Sequence, residues 1–192
     1  MESTSTYPEN NAVQPSIGSV AIKGGVITGV IIASLIIVFI YVLNNIGSMA
    51  LQILIGLIST IIGIYLTQKS FKDQGDGYMT YGKGLIIAIA MMAVAGLVAS
   101  LINLIYVKFV DPQIAEQIVD ISIEKAYEMT ERFGGDTDAL DAQFEGKREE
   151  MIADQTNFIN ILWGSLTYAF FGLIVGLIVT IFTKNKPAEL EY

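Results

Sequence analysis

The chain has 192 residues, 53% of them hydrophobic, and carries a formal net charge of −8 at pH 7. This length suits one ordinary domain, and the acidic balance disfavours a nucleic-acid partner because phosphate contacts need a basic surface. The chain contains neither Cys nor His, which excludes disulfides, thiolate nucleophiles, histidine acid–base catalysis and the usual zinc and haem sites.

The N-terminal segment 1–18 is polar and precedes a long apolar run. It holds two acidic residues, and no basic residue occurs before Lys23. A secretory signal peptide needs a basic flank and a small-residue cleavage site, and both are missing here. We therefore predict a disordered cytoplasmic tail over 1–18 and a first helix that stays in the mature protein.

The first two membrane spans are predicted at about 24–43 and 49–67. No charged residue occurs between Lys23 and Lys69, and each apolar arm has about 20 residues, which cross a hydrocarbon core about 30 Å thick. The polar stretch 44–48 (NNIGS) between them predicts a tight turn.

The glycine-rich stretch 77–84 (GYMTYGKG) follows the second span. It differs by one residue from the phosphate-binding pattern G-x-x-x-x-G-K-[ST], because Gly84 stands where the pattern has a hydroxyl. A phosphate loop also needs a preceding buried strand, whereas a membrane helix precedes this one. The stretch therefore predicts a turn between two spans at the membrane interface, and we predict no nucleotide, cofactor or metal.

Two further uncharged runs predict spans at about 85–107 and 159–182. They are continuously apolar rather than alternating, which favours helices over barrel strands. The sequence thus predicts an all-α integral membrane protein. Its four transmembrane helices form one domain over 19–186, followed by a short cytoplasmic tail over 187–192.

Between the third and fourth spans lies the acidic loop 108–158. Asp111-Pro112 predicts a helix start and Gly134-Gly135 its end, and a second helix is expected from 136–138, giving an acidic helical hairpin outside the cytoplasm. One face of the first helix carries acidic residues at i, i+4 spacing: Glu116, Asp120, Glu124 and Glu128, with Glu131 beside them. This ladder is either a face that binds a cation or a basic partner, or a solvated face.

Lysines near the span ends predict the orientation. One side of the membrane would hold Lys23, Lys69, Lys72, Lys83, Lys184 and Lys186. We therefore expect a multi-pass protein of the bacterial inner membrane, with both termini cytoplasmic and the long loop outside.

Small residues at i, i+4 spacing occur in every span and predict close helix packing, within or between chains. The four pairs are Gly25 with Gly29, Ser59 with Gly63, Gly96 with Ser100, and Gly172 with Gly176. The four span cores contain no ionisable residue, and Gln52 and Asn103 are the main polar side chains expected at bilayer depth.

The arrangement resembles a bacterial, Bacteroidetes-type family of four-helix membrane proteins that is known only as a domain of unknown function. The likeness covers about 20–186 and rests on Gly75, Gly77, the tetrapeptide 81–84 (YGKG) and the run 108–112 (KFVDP). It implies the topology and a bacterial membrane location, and it implies no activity.

Three classes of function remain. We favour a non-enzymatic scaffold or accessory subunit that acts through helix packing and its acidic hairpin, with the bilayer and a membrane protein or a second copy as partners. The alternative is an oligomeric pore or transporter component lined by glycine faces and by Asn103 or Gln52. An enzyme using the loop carboxylates Glu149, Glu150 and Asp154 is the least favoured.

Overall fold

Four long helices dominate the computed structural model, which describes residues 14–42 and 49–185, with side chains for 14–39 and 53–185. All regular structure in these ranges is helical. The helices are α1 (Ile17–Val42), α2 (Met49–Gln74), α3 (Tyr81–Ile105) with a π-helical end (Tyr106–Val110), α4 (Ile114–Arg132), α5 (Asp138–Phe144), α6 (Arg148–Asp154) and α7 (Phe158–Thr183). The predicted turn 44–48, the predicted tail 187–192 and residues 1–13 of the predicted N-terminal tail lie outside the described residues.

Helices α1, α2, α3 and α7 are each long and apolar enough to cross a membrane, which confirms the prediction of four transmembrane helices. Their outer surfaces expose large apolar side chains, among them Ile27, Leu66, Phe170 and Phe182. A monomeric soluble protein rarely exposes such extensive apolar surface, whereas the hydrocarbon core of a bilayer solvates it.

The helices extend past the predicted spans because a helix need not end at the first charged residue. Ser16 caps α1, its Oγ accepting the backbone N–H of Ser19 at 3.1 Å, so α1 begins within the predicted tail and includes Lys23. Helix α2 likewise runs beyond Lys69 to Gln74. Span predictions based on uncharged runs stop at the first lysine, although lysine itself is a good helix former.

Helix α3 lies at the centre of the bundle, with its most extensive contacts to α1 and α7. It brings Ala88, Met91, Met92 and Ala95 into the main apolar core, all of them buried. Helix α2 adds Ile64 to that core and Phe71 to a second cluster, both from its C-terminal half. The bundle is therefore tightest at the end where α2 finishes and α3 begins.

The loop 108–158 differs from the predicted hairpin. Its first helix, α4, is followed by two short helices, because the chain breaks at Gly146, which has a φ of +75° that favours glycine. Only the start of α4 is buried, at Ile114, Ala115 and Val119. Beyond that point the apolar side chains of Met129 and Phe133 remain exposed, because neither short helix covers them.

Candidate functional site

The glycines of α1 mark close contact with α3. A Cβ atom on Gly25 would lie 2.6 Å from the carbonyl oxygen of Met91, and one on Gly29 would lie 2.6 Å from that of Ala95. Real Cβ atoms do not approach carbonyl oxygens so closely, and backbone cannot move aside as a flexible side chain can. Glycine is therefore required at both positions for the two backbones to meet.

The glycines of α7 face α3 in the same way. A Cβ on Gly172 would lie 2.9 Å from the Ala88 carbonyl oxygen, and one on Gly176 would lie 2.7 Å from the Ala88 Cβ. Gly96 of α3 faces Tyr168, and a Cβ atom on Gly96 would lie 2.7 Å from the Tyr168 Cβ. The contacts described for these glycines lie within a single chain.

The remaining predicted small pair lies on α2. Gly63 faces Thr28 of α1, with the Thr28 Oγ1 atom 2.7 Å from the Cβ position. Ser59 is half-buried, one turn earlier. Ser100, the partner of Gly96 in the sequence pattern, lies opposite Gly164. A Cβ atom on Gly164 would lie 2.8 Å from the Ser100 Oγ atom. The small residues thus mark contacts of α1 with α2 and α3, and of α3 with α7.

A buried polar cluster joins α2, α3 and α7 at the end of the bundle where α2 finishes. The amide nitrogen of Gln68 donates to the carbonyl oxygen of Gly84 at 2.9 Å and to Thr180 Oγ1 at 2.8 Å. Its amide oxygen accepts the Thr183 hydroxyl at 2.5 Å. Lys72 donates to the Thr183 carbonyl oxygen at 3.0 Å, which places a cation at the C-terminal end of α7, as the helix dipole favours. Gln68 is fully buried with both ends of its amide satisfied, so the cluster fastens three helices.

Sequence reasoning missed this cluster, because the second span was predicted to end at residue 67. Gln68 lies one residue outside that predicted span, where a glutamine gives no signal of a buried contact. Thr180 and Thr183, at helical spacing near the end of the last apolar run, were the available signal. Two polar side chains on one face of a membrane helix predict a polar partner on a neighbouring helix.

The glycine-rich stretch 77–84 is anchored to the chain itself. Met79 and Asn185 exchange backbone hydrogen bonds of 3.1 and 3.0 Å, and the Asn185 amide donates to the Gly77 carbonyl oxygen at 2.9 Å. The ammonium group of Lys83 donates to the Gln14 side chain at 2.6 Å. In a phosphate loop, the backbone N–H groups and the lysine point at the ligand. Here the backbone N–H groups of Met79 and Lys83 and the Lys83 ammonium group donate hydrogen bonds to other residues of the chain.

Asp76 belongs to the same turn and links it to the N-terminal segment. Its carboxylate accepts the backbone N–H of Tyr78 at 3.0 Å and the Gln14 amide at 2.8 Å. These two hydrogen bonds, that of Tyr78 foremost, hold the pKa of Asp76 below its ordinary value. The charged form of Asp76 therefore stabilises the turn.

The five acids of the predicted ladder are all exposed on α4, and two of them form ion pairs. Asp120 accepts two hydrogen bonds from Arg148 of α6, at 2.7 and 2.9 Å, and Glu128 pairs with Lys125 at 2.7 Å. The hydrogen bond from Arg148 is the main cause that lowers the pKa of Asp120. Glu116, Glu124 and Glu131 have no ion pair among the described residues.

The described acids do not converge into a group that could hold a metal ion. Elsewhere in the loop, the Tyr127 hydroxyl hydrogen-bonds Asp141 of α5, which raises the pKa of the phenol because ionising it beside a carboxylate is unfavourable. Glu149 and Glu150 are exposed at the start of α6. The loop acids therefore serve to tie α5 and α6 to α4, or face solvent.

A cavity of about 570 Å³ opens at the other end of the bundle. Its walls come from α1, α2, α3, α4 and α7, with the last residue of α6, Asp154, at the rim, and its other polar residues include Ser100, Asn103 and Asn160. Asn103, expected from the sequence at bilayer depth, lines this cavity and makes no side-chain hydrogen bond to another described residue. Gln52 lies in α2, and its side chain is outside the described set.

The comparisons with known proteins agree with the resemblance seen in the sequence. Residues 23–185 match the family model described as "Protein of unknown function (DUF4199)", so the chain belongs to that family. The match includes most of α1, all of α2, α3 and α7, and the acidic loop. No curated protein and no solved structure matches the chain.

Proposed function

We propose that this member of the family is a non-catalytic, multi-pass protein of the bacterial inner membrane that acts as a scaffold or accessory subunit. Its bundle anchors the outer end of α4 on the external face of the membrane. That end binds a partner protein with a basic, partly apolar surface. Both termini are cytoplasmic, in keeping with the lysines that flank the span ends on that side.

The surface at the outer end of α4 carries this proposal. Met129 and Phe133 expose 48% and 80% of their surface there, beside Glu124, Glu128 and Glu131. Exposed methionine and aromatic side chains framed by charged residues are typical of the centre and rim of a protein interface. We refer to these five residues as the α4 tip.

Charge favours a basic partner. The segment 108–158 has thirteen acidic and five basic residues, and the described ion pairs engage only two of the acids. An opposite charge on the partner would speed association and exclude acidic proteins.

The packing of the bundle favours this role over a pore. The glycine faces that would line a conducting path are in contact with neighbouring helices of the same chain. The loop carboxylates also give little support to an enzyme, since Glu149 and Glu150 are exposed and no described acidic cluster has a metal-binding arrangement.

Site-specific photocrosslinking in living cells tests the proposal. A photoreactive residue at Phe133 should give one discrete adduct with another protein, and the same residue at Gln117, exposed near the start of α4, should give none. The triple variant Glu124→Gln/Glu128→Gln/Glu131→Gln should reduce the adduct at least about tenfold, the equivalent of about 1.4 kcal/mol of binding energy.

The matched control is Glu145→Gln/Glu149→Gln/Glu150→Gln, which removes the same charge elsewhere in the loop and should leave the adduct unchanged. Equal yields at the two crosslinking positions, or equal losses in the two triple variants, would refute a specific tip. An adduct between two copies of this chain would assign the tip to self-association instead.

The orientation has its own test. Because the natural chain has no cysteine, a single Ala139→Cys variant can be labelled at one position only. A membrane-impermeant maleimide should label it in intact spheroplasts. Labelling that requires lysis would place the loop in the cytoplasm and overturn the proposed topology.

A further inference from the structure

We propose that the cavity between α1, α2, α3, α4 and α7 binds one molecule of an uncharged amphipathic lipid. The hydrocarbon part of this lipid lies against the apolar walls, and its hydroxyl- or carbonyl-bearing head group contacts Ser100 and Asn103. The site lies within the bundle and is separate from the α4 tip, so either proposal can fail without the other.

The size and walls of the cavity suit such a ligand. Its volume of about 570 Å³ falls within the range of about 300–1,000 Å³ that is common for small-molecule sites. The side chains of Ile32, Ile36, Ile55 and Ala99 supply apolar wall from three helices. A void of this size without contents would forfeit the dispersion contacts of every residue around it.

Three of the polar residues that line the cavity lie within the spans rather than at their ends: Ser100 and Asn103, one turn apart on α3, and Tyr168 of α7. None of the three forms a side-chain hydrogen bond with another described residue. Asn103 lies about 11 Å along the helix from the midpoint of the Tyr81–Val110 span, at 1.5 Å per residue.

That depth is inside a hydrocarbon layer with a half-thickness of about 15 Å. Polar groups there are costly unless they are hydrogen-bonded, and lipid tails offer no donor or acceptor. A head group with hydroxyl or carbonyl oxygens would satisfy these side chains.

Charge restricts the head group. The described lining contains no basic residue, and its one charged residue, Asp154, is an acid at the extramembrane end. Residues 43–48, which the structure does not describe, lie in the part of the chain between Lys23 and Lys69 that contains no charged residue, so they cannot supply a cation. A phosphate group would face a carboxylate with no counter-charge, which disfavours anionic lipids.

Gly56 offers a direct means of closing the site. It lines the cavity, and a Cβ atom added to it would meet no atom within 4 Å. A large side chain at this position would therefore project into the cavity without displacing a neighbouring helix. Ile62, exposed to lipid on the same helix, is the matched position for a control.

Native mass spectrometry of the detergent-purified full chain can test binding, with a long-chain monoacylglycerol as the uncharged probe and phosphatidylglycerol as the anionic one. We expect one retained monoacylglycerol per chain. Retention should fall at least about tenfold in Gly56→Trp and in Asn103→Leu. It should be unchanged in Ile62→Trp and in Thr167→Val, a change at an exposed polar residue of α7. Thermal unfolding of each variant shows whether it is folded.

Equal retention of the two probes by the wild-type chain would overturn the proposed head-group chemistry. Retention that persists in folded Gly56→Trp would show that the lipid binds elsewhere. If Gly56→Trp does not fold, Asn103→Leu is the deciding variant. Undiminished retention in Asn103→Leu would show that binding does not depend on the Asn103 side chain, and it would overturn the proposal. Absence of any retained monoacylglycerol in the wild-type chain also overturns the proposal.

Discussion

Gly84 is the last residue of the YGKG motif, and its replacement by alanine tests what the motif does. A Cβ atom at this position would lie 2.5 Å from the Thr180 Cγ2 methyl and 3.0 Å from the end of the Met79 side chain. Met79 is flexible at that end. Thr180 is fully buried, and its hydroxyl is held by Gln68, so the methyl group cannot rotate away without breaking that hydrogen bond.

The expected cost follows from two opposing effects. Forcing an extra methyl group into a packed core typically costs about 1–3 kcal/mol. Alanine is in turn favoured over glycine within a helix by about 0.5–1 kcal/mol. The net loss in the free energy of unfolding for Gly84→Ala should therefore be about 1–2 kcal/mol.

Gly82 provides the matched control, because a Cβ atom there would meet nothing within 4 Å. Gly82→Ala should be neutral or stabilising by up to about 1 kcal/mol. Unfolding in mixed micelles of rising SDS content can measure both variants through the fluorescence of Trp163, the single tryptophan of the chain.

A second substitution identifies the colliding atom. Thr180→Ser removes the Cγ2 methyl and keeps the hydroxyl that Gln68 requires. The double variant Gly84→Ala/Thr180→Ser should then be more stable than the sum of the two single changes predicts, by about 0.5–3 kcal/mol. If the two changes are additive, or if Gly82→Ala and Gly84→Ala behave alike, the close contact with α7 does not explain the glycine.

Two further predictions concern the polar contacts. Gln68→Met keeps the shape of the side chain but removes three interhelical hydrogen bonds. At about 0.6 kcal/mol each, it should cost about 2 kcal/mol in the same unfolding assay, whereas Gln74→Met, at an exposed position, should change stability by less than about 0.5 kcal/mol. The pKa of Asp120 is lowered in the folded chain by Arg148. The stability that this contact contributes is thus complete above the unfolded pKa of about 3.9 and is lost as the pH falls from there through the lower pKa of the folded chain. Hydrogen exchange of α6 should accelerate below about pH 4 in the wild-type chain, and Asp120→Asn should abolish this pH step.

The membrane spans could be predicted because absence of charge over about 20 residues has one common physical cause, the hydrocarbon core. The first and last residues of the helices could not be predicted in this way. Helix α1 begins where the Ser16 hydroxyl caps it, and α2 continues past its first lysine to Gln74. The role of Gly84 was equally hidden. Its neighbour Thr180 is almost a hundred residues away, and only the fold brings the two together.

The loop shows a different limit. Helical spacing of apolar residues predicts which side chains of α4 could be buried on one face, but burial also needs a partner long enough to cover them. Gly146 divides the returning chain into two short helices. Arg148 fastens the second of these to Asp120, near the middle of α4, so that Met129 and Phe133 extend past it. The surface that we propose as a partner site is thus the part of this apolar face of α4 that the rest of the loop does not cover.

The composition of α2 explains why the bundle is closed at one end and open at the other. Helices in lipid gain nothing from burying one apolar surface against another, so they associate where small and polar residues allow close packing and hydrogen bonds. The C-terminal half of α2 offers Gly63, Thr67 and Gln68, and these residues contact α1, α3 and α7. Its N-terminal half presents mainly large apolar side chains, exposed at Ile53, Leu54, Leu57 and Ile58.

Gly56 is the one glycine in that half of α2, and a Cβ atom added to it would meet no atom within 4 Å. The two halves of α2 therefore differ in their contacts. The C-terminal half packs against α1, α3 and α7, and the N-terminal half leaves a cavity beside Gly56. Substitutions that give the N-terminal half a packing face, such as Gly-xxx-Gly spacing completed at residue 60 by Thr60→Gly, should narrow the cavity and lower monoacylglycerol retention. If the cavity instead depends only on the loop 108–158, Thr60→Gly should leave monoacylglycerol retention unchanged.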